Sequence, residues 1–148
     1  MEIAILALGC FWGPEIKFDK LNGVTRTEVG YCGGNSSNTN YREVCSGNTN
    51  HAEVVKIEYD KSKISYENIL NYFFEIHDPT TLNRQGPDIG TQYRSEIFFL
   101  NPEQKEIAQK MLVKYNEKYN GKISTKISPV KNYCIAEEYH QKYLEKNY

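Results

Sequence analysis

The chain of 148 residues contains no apolar run near the roughly 20 residues that a membrane-crossing helix needs, so it is not expected to work in a membrane. It has no excess of charge of one sign. Eighteen basic against nineteen acidic side chains leave a net charge of −1, which provides no field for nucleic acid or an anionic lipid surface. Histidine is scarce, and His51, His77 and His140 stand in separate segments without metal-ligand spacing. The four cysteines, Cys10, Cys32, Cys45 and Cys134, form neither a C-x-x-C motif nor a dense framework. No metal site is expected, and a reducing cytoplasm suits these thiols better than a secreted disulfide scaffold. The opening "MEIAILALGCFWG" lacks a basic n-region and reads as a first core strand, not as a signal peptide. No repeat, low-complexity tract or linker divides the sequence, which predicts one domain over residues 1–148, with a monomer as the default.

What is present is an alternation of strand and helix patterns. "EIAILAL" is a buried strand ending at Gly9, and "WGPEIKFDKLNG" a helix with Pro14 in its first turn and Gly23 after its end. "VTRTEVGY" is a second strand, followed by a long Gly, Asn and Ser loop, and "AEVVKIEY" is a third. "SYENILNYFFEIHDP" places Tyr66, Ile69, Leu70, Phe73 and His77 on one helical face, which predicts a satisfied core histidine at 77. The loop "TTLNRQGPDIGTQY" leads into the strand "RSEIFFL". "NPEQKEIAQKMLVKYNEKYNG" is a helix capped by Asn101 with Pro102 at its first position and a stripe of Ile107, Ala108, Met111, Leu112 and Tyr115. A short strand "KISTKI" and an amphipathic tail helix near "AEEYHQKYLEK" complete the pattern.

The first six elements run strand, helix, strand, strand, helix, strand. The predicted fold class is therefore α+β: a split β-α-β, ferredoxin-like two-layer sandwich with long loops at one end. Its third strand runs antiparallel to its first. The end of the first strand at Cys10, the 32–52 loop, Glu53 and Tyr93 would then meet at one end of the sheet.

Within "LGCFWG" a cysteine stands between glycines and beside the only tryptophan. Cys10 at a helix start is a candidate nucleophile, because the positive end of the backbone dipole lowers a thiol pKa and the thiolate is the reactive form. Gly9 and Gly13 would permit a tight turn and close approach of a ligand. The competing reading is a buried free cysteine acting as a small hydrophobe, with Phe11 and Trp12 as core. If exposed together at the sheet end, Phe11 and Trp12 would form an apolar seat.

"GCFWG", "GYCGG", "YREVCSG", "HAEVVKIEYD", "HDPTTLNRQG" and "GTQYRS", in this order, give the chain a resemblance to peptide methionine sulfoxide reductase A. The resemblance covers most of the chain. It implies reduction of methionine S-sulfoxide, free or in proteins, without a metal or bound organic cofactor. It assigns Cys10 as nucleophile, which becomes a sulfenic acid, and Glu53 of "HAE" as the acid. Tyr41 of "YREVC" and Tyr93 of "GTQYRS" match its oxygen-binding phenols, Asp88 matches an acidic residue that helps position the site, and Phe11 with Trp12 would hold the methyl group. Each has a plainer alternative: a solvated glutamate, packed tyrosines with wet hydroxyls, a turn aspartate. His51 beside this site reads as a loop hydrogen-bonding residue.

Many relatives continue past the tail helix with a Gly-rich segment that holds resolving cysteines, whereas this sequence reaches Tyr148 without one. Cys45 reads as structural. Cys32, at the end of the second strand, is the best internal candidate for a resolving cysteine, and Cys134 is an alternative. The expected chemistry is of one-cysteine type, in which thioredoxin, or glutathione with glutaredoxin, restores Cys10. The rival readings are a one-cysteine peroxidase and a non-catalytic binder of oxidised methionine or redox sensor.

Overall fold

The computed structural model describes residues 1–36 and 38–147; Ser37 and Tyr148 lie outside the described residues. Its first strand, β1 (Glu2–Leu8), is buried on both faces from Ala4 to Leu8, as a central strand must be. It ends at Gly9, where φ is +95° and a Cβ would lie 2.7 Å from the Cβ of Gln85, so only glycine turns the chain there. At Gly13 an added Cβ would meet open space, so the second glycine of "GCFWG" is not required by packing.

α1 (Trp12–Asp19), β2 (Val24–Cys32), a short α2 (Tyr41–Cys45), β3 (Ala52–Tyr59) and α3 (Tyr66–Glu75) follow. Next come a hairpin of β4 (Arg84–Gln85) and β5 (Asp88–Ile89), a 3-10 turn at Thr91–Tyr93, β6 (Ser95–Phe99) and α4 (Pro102–Lys118). β7 (Lys126–Pro129), β8 (Cys134–Ile135), a second 3-10 turn at Glu138–His140 and α5 (Tyr143–Asn147) complete the chain.

The main sheet runs β7, β6, β1, β3, β2, β8. β3 is antiparallel to β1 and β2, and β6 is antiparallel to β1, so the four inner strands form the expected split β-α-β sheet. β7 adds in parallel at one edge and β8 antiparallel at the other. Leu8 pairs with Ser95 and Cys32 with Ala52, which brings the end of β1 and the starts of β3 and β6 to one end of the sheet.

On one face, Leu6, Leu8, Tyr31, Val55, Ile57 and Ile97 pack against Phe18 of α1, Ile69, Leu70 and Phe73 of α3, and Ala108 and Met111 of α4. The opposite face carries a smaller cluster of Ile5, Ala7, Cys32, Ala52, Val54 and Phe98, closed by Val130 and Tyr133. Ser65 and Asn101 cap α3 and α4 by accepting from the Asn68 and Gln104 amides. In α4 the buried stripe includes Gln104, whose amide donates to the Ile3 carbonyl at 2.7 Å and accepts from the Leu100 N–H at 3.0 Å. Ile107 and Leu112 lie at its flanks.

Besides the β4–β5 hairpin in the loop over 80–93 and the edge strand β8, three segments depart from the sequence-based expectation. The 32–51 loop holds α2, started by Asn40, whose side chain accepts from the Glu43 N–H. The strand expected over "KISTKI" begins later, at Lys126. The tail is not one amphipathic helix, because its polar groups are bonded to the body of the domain. Gln141 pairs with both backbone groups of Val29 at 2.9 Å, the Lys142 N–H donates to Glu15 Oε1 at 2.7 Å, and Lys142 has φ of +54°. Tertiary bonds here override helix propensity.

Candidate active site

α1 begins without a side-chain cap. Two of its free N–H groups point at the site instead: Phe11 N–H donates to Glu53 Oε1 at 3.2 Å, and Trp12 N–H to the Cys10 sulfur. Cys10 is half-buried, and burial pushes its thiol up to about 11. The charges of Glu53, Asp88 and Cys45 act in the same direction, and the Trp12 N–H opposes them. This corrects the expectation of a lowered thiol pKa. One backbone donor of an eight-residue helix does not offset desolvation and two neighbouring carboxylates.

Glu53 is 1% exposed and sits on the helix-bearing face of β3 with Val55 and Ile57. Burial pushes its carboxyl up to about 8; the Phe11 N–H works against this and the charge of Asp88 with it. Its Oε1 is held by Phe11, while Oε2 is buried without a hydrogen-bond partner among the described residues. At neutral pH the group is mostly a carboxylic acid with one oxygen uncommitted.

Tyr41 opens α2, Tyr93 ends the 3-10 turn after β5, and Asp88 begins β5. Burial raises the Tyr93 phenol to about 12, helped by the charges of Glu53, Cys45 and Asp88 and opposed by a hydrogen bond with Tyr41. Burial also pushes the Tyr41 phenol well above its usual value, with Cys45, Tyr93 and Glu53 adding to the effect. The five predicted polar residues, Cys10, Tyr41, Glu53, Asp88 and Tyr93, thus lie within electrostatic reach of one another. Asp88 is held in place by the hairpin, and Gln85 pins that hairpin through both backbone groups of Asp78 at 2.9 and 2.8 Å. Arg94, unremarked in the sequence, braces the turn from behind. It pairs with Glu96 at 2.7 Å and donates to the Thr91 and Asn50 carbonyls.

The two aromatics of "GCFWG" are separated by the fold. Phe11 is 1% exposed, with Tyr31 and His140 at ring distances of 5.7 and 5.2 Å, so it does not share an exposed seat with Trp12. Trp12 is half-buried. Its indole N–H donates to His140 Nδ1 at 3.0 Å and its ring stacks on Tyr143 at 3.8 Å. Because Nδ1 accepts, the neutral His140 ring carries its proton on Nε2. Removing this acceptor strands a partly buried indole donor. His140→Ala is therefore expected to shift the emission of the only tryptophan and to lower stability by about 1–3 kcal/mol, as read by fluorescence and urea unfolding.

Two of the remaining cysteines depart from the sequence reading. Cys32 is 0% exposed, its sulfur donates to the Lys131 carbonyl at 3.4 Å, and it belongs to the cluster on the face of the sheet opposite Glu53. Side chains alternate along a strand, so Tyr31 faces the site and Cys32 faces away. It cannot meet Cys10 without opening the sheet. Cys45, expected as structural, is exposed at the end of α2, and its charge is felt at Cys10, Tyr41 and Tyr93. Cys134 lies on the edge strand with its sulfur near the Thr39 carbonyl at 3.6 Å. His77 is satisfied as expected, by the Phe73 carbonyl at 2.5 Å and Ser95 Oγ at 2.8 Å. His51 is buried beneath Gly34, with the Ser36 and Asn132 backbone close to its ring. Among the described residues no group of three or more His, Cys, Asp and Glu side chains converges to hold a metal.

A half-buried thiol, a buried carboxylic acid and two phenols at the end of a split β-α-β sheet define a thiol-bearing α+β domain. The family described as peptide methionine sulfoxide reductase matches residues 2–148, and the chain belongs to that family. It is 69% identical to the peptide methionine sulfoxide reductase MsrA of Pelagibacter ubique (strain HTCC1062) over 146 residues, covering 99% of each chain. Among solved structures, the reduced form of Mxr1 from Saccharomyces cerevisiae superposes with a TM-score of 0.95 at 41% identity, covering 99% of this chain and 85% of that one. Mxr1 in complex with Trx2 superposes with a TM-score of 0.69 at 27% identity, covering 96% and 84%.

Proposed function

We propose that this chain, as a single catalytic domain, reduces methionine S-sulfoxide to methionine. The observation that carries the reading is Glu53, a buried acid near Cys10 with one oxygen fixed by the Phe11 N–H and the other unpartnered. A sulfoxide oxygen is an acceptor seeking such a donor. In this reading the oxygen accepts from Glu53 and from the Tyr41 and Tyr93 hydroxyls, the Trp12 indole takes the S-methyl group, and Asp88, held by its hairpin, adds negative charge beside Glu53 and Cys10.

As Cys10 attacks sulfur, Glu53 gives its proton to the oxygen and then receives the thiol proton. The balance is Cys10–SH plus sulfoxide giving Cys10–SOH plus methionine. The raised pKa values of both groups fit this exchange, since the resting site holds both protons and needs no charged nucleophile until substrate arrives. Two equivalents of an external thiol then return Cys10–SOH to the thiol with release of a disulfide and water. Thioredoxin is supported as that reductant by the Mxr1 complex, and glutathione with glutaredoxin would do the same chemistry. Four free thiols suit a reducing cytoplasm, and no helix among the described residues is long and apolar enough to cross a membrane.

The test is reaction with a methionine-S-sulfoxide substrate without reductant. One methionine per chain, a gain of one oxygen in mass and three remaining thiols of the four are expected. Loss of two thiols with no added oxygen would replace the one-cysteine mechanism by an internal disulfide. No methionine would overturn the reductase reading in favour of a binder.

A further inference from the structure

Tyr41 begins a helix of only five residues, at the end of a Gly, Asn and Ser loop that starts after Cys32. A helix this short does not hold itself. Its phenol meets Tyr93 and Cys45 and packs on His140 at a ring distance of 4.5 Å, but its backbone, which sets where the ring starts, needs an anchor of its own. The link comes from the far end of the sequence. Glu137 Oε1 accepts from the Tyr31 hydroxyl at 2.8 Å, and Oε2 accepts from the Tyr41 N–H at 2.9 Å and from the Tyr139 hydroxyl at 3.3 Å. Tyr31 is the direct cross-strand partner of Glu53 in the β2–β3 ladder. One carboxylate therefore joins the neighbour of the proposed acid to the residue that carries a proposed oxygen-binding phenol. It closes the intervening loop at both ends.

We propose that Glu137 is a positioning residue for the reductase step, fixing the Tyr41 phenol relative to Glu53 and Cys10 by sharing its carboxylate between the Tyr31 hydroxyl and the Tyr41 amide. This rests on the reductase reading above. A phenol displaced by an ångström loses most of its value to a transition state, so Glu137→Ala slows single-turnover methionine release by about 10–100-fold. Glu137→Gln keeps an oxygen for the Tyr41 N–H and an amide for the Tyr31 hydroxyl, and recovers most of that loss.

The decisive measurement is a double-mutant cycle with Tyr41→Phe. If Glu137 acts through the Tyr41 hydroxyl, Glu137→Ala costs less than about threefold once that hydroxyl is gone. A merely structural carboxylate would give the same fold-loss in both backgrounds, and that additivity would overturn the proposal, as would wild-type rates in Glu137→Ala. Should Glu137→Ala fail to fold, Tyr31→Phe removes one anchor of the carboxylate, and the same non-additivity with Tyr41→Phe is expected. Methionine release by the wild-type chain is measured alongside: its absence overturns the reductase reading and this role together, whereas an additive cycle in an active enzyme overturns this role alone.

Discussion

Glu53→Gln is expected to slow single-turnover methionine release by about 10²–10⁴-fold, the usual contribution of a positioned general acid. The same change is expected to make the protein more stable at and above neutral pH. The amide fills the same space and still accepts from the Phe11 N–H, but it has no proton to give to the sulfoxide oxygen. The stability effect follows from the carboxyl's pKa, which is raised to about 8 in the fold against 4.5 for an ordinary glutamate. The folded state binds this proton more tightly than the unfolded chain does. Its contribution is therefore fully present below about 4.5 and is lost as pH rises through about 8. Above that pH the native wild type holds an uncompensated buried charge, on the order of a few kcal/mol, that the glutamine variant lacks. Thermal unfolding at pH 6 and pH 9 should show the two proteins diverging at the higher pH. Wild-type rates should fall through about pH 8 while the residual rate of the variant stays flat across it. A wild-type profile level from pH 6 to 10 would remove Glu53 as the acid.

Cys10→Ser is expected to abolish methionine release, by about 10⁴-fold or more, because no other group in the cluster supplies the nucleophile. The chain should then gain no oxygen from the sulfoxide, while a Cys32→Ala chain behaves as wild type, since that sulfur lies behind the sheet. The resting thiol adds a second test. With its pKa raised to about 11, Cys10 stays neutral at pH 8, and alkylation there should label exposed Cys45 first. Peptide mapping after a short pulse of iodoacetamide reads the order. If Cys10 reacted first, the site would be lowering the thiol pKa, and the proton exchange with Glu53 would have to be replaced by a preformed thiolate.

Much of the site was legible because strand direction is a consequence of element order. An antiparallel third strand must bring Glu53 to the end of the strand that carries Cys10, and the register of Leu8 with Ser95 brings Tyr93 to the same end. The cap at Asn101 was legible for a similar reason, since it is settled by residues close in sequence, and the glycine that ends β1 marked its turn. At Gly9 the positive φ is a local demand, while the close approach of Gln85 from the β4–β5 hairpin adds a tertiary one for the same residue type.

The failures share a different physical origin. Cys32 was assigned to the site because it ends a strand on that side, yet strand parity decides the face, and parity is fixed by the ladder that sets Tyr31 opposite Glu53. The Cys10 thiol was expected to be acidic from its helix alone, yet burial outweighs the single Trp12 N–H, because the Phe11 N–H is spent on Glu53. The tail was read as a helix from its own pattern, yet Glu137, His140, Gln141 and Lys142 bond to Tyr31, Trp12, Val29 and Glu15, more than a hundred positions away. The sequence by itself determined the order and direction of the elements and so where the chemistry gathers, because turns, caps and hydrophobic period act locally. Only the tertiary structure decided which face each side chain takes, how its proton is held and what keeps Tyr41 and Trp12 in place, because desolvation and long-range hydrogen bonds exist only once the chain has closed on itself.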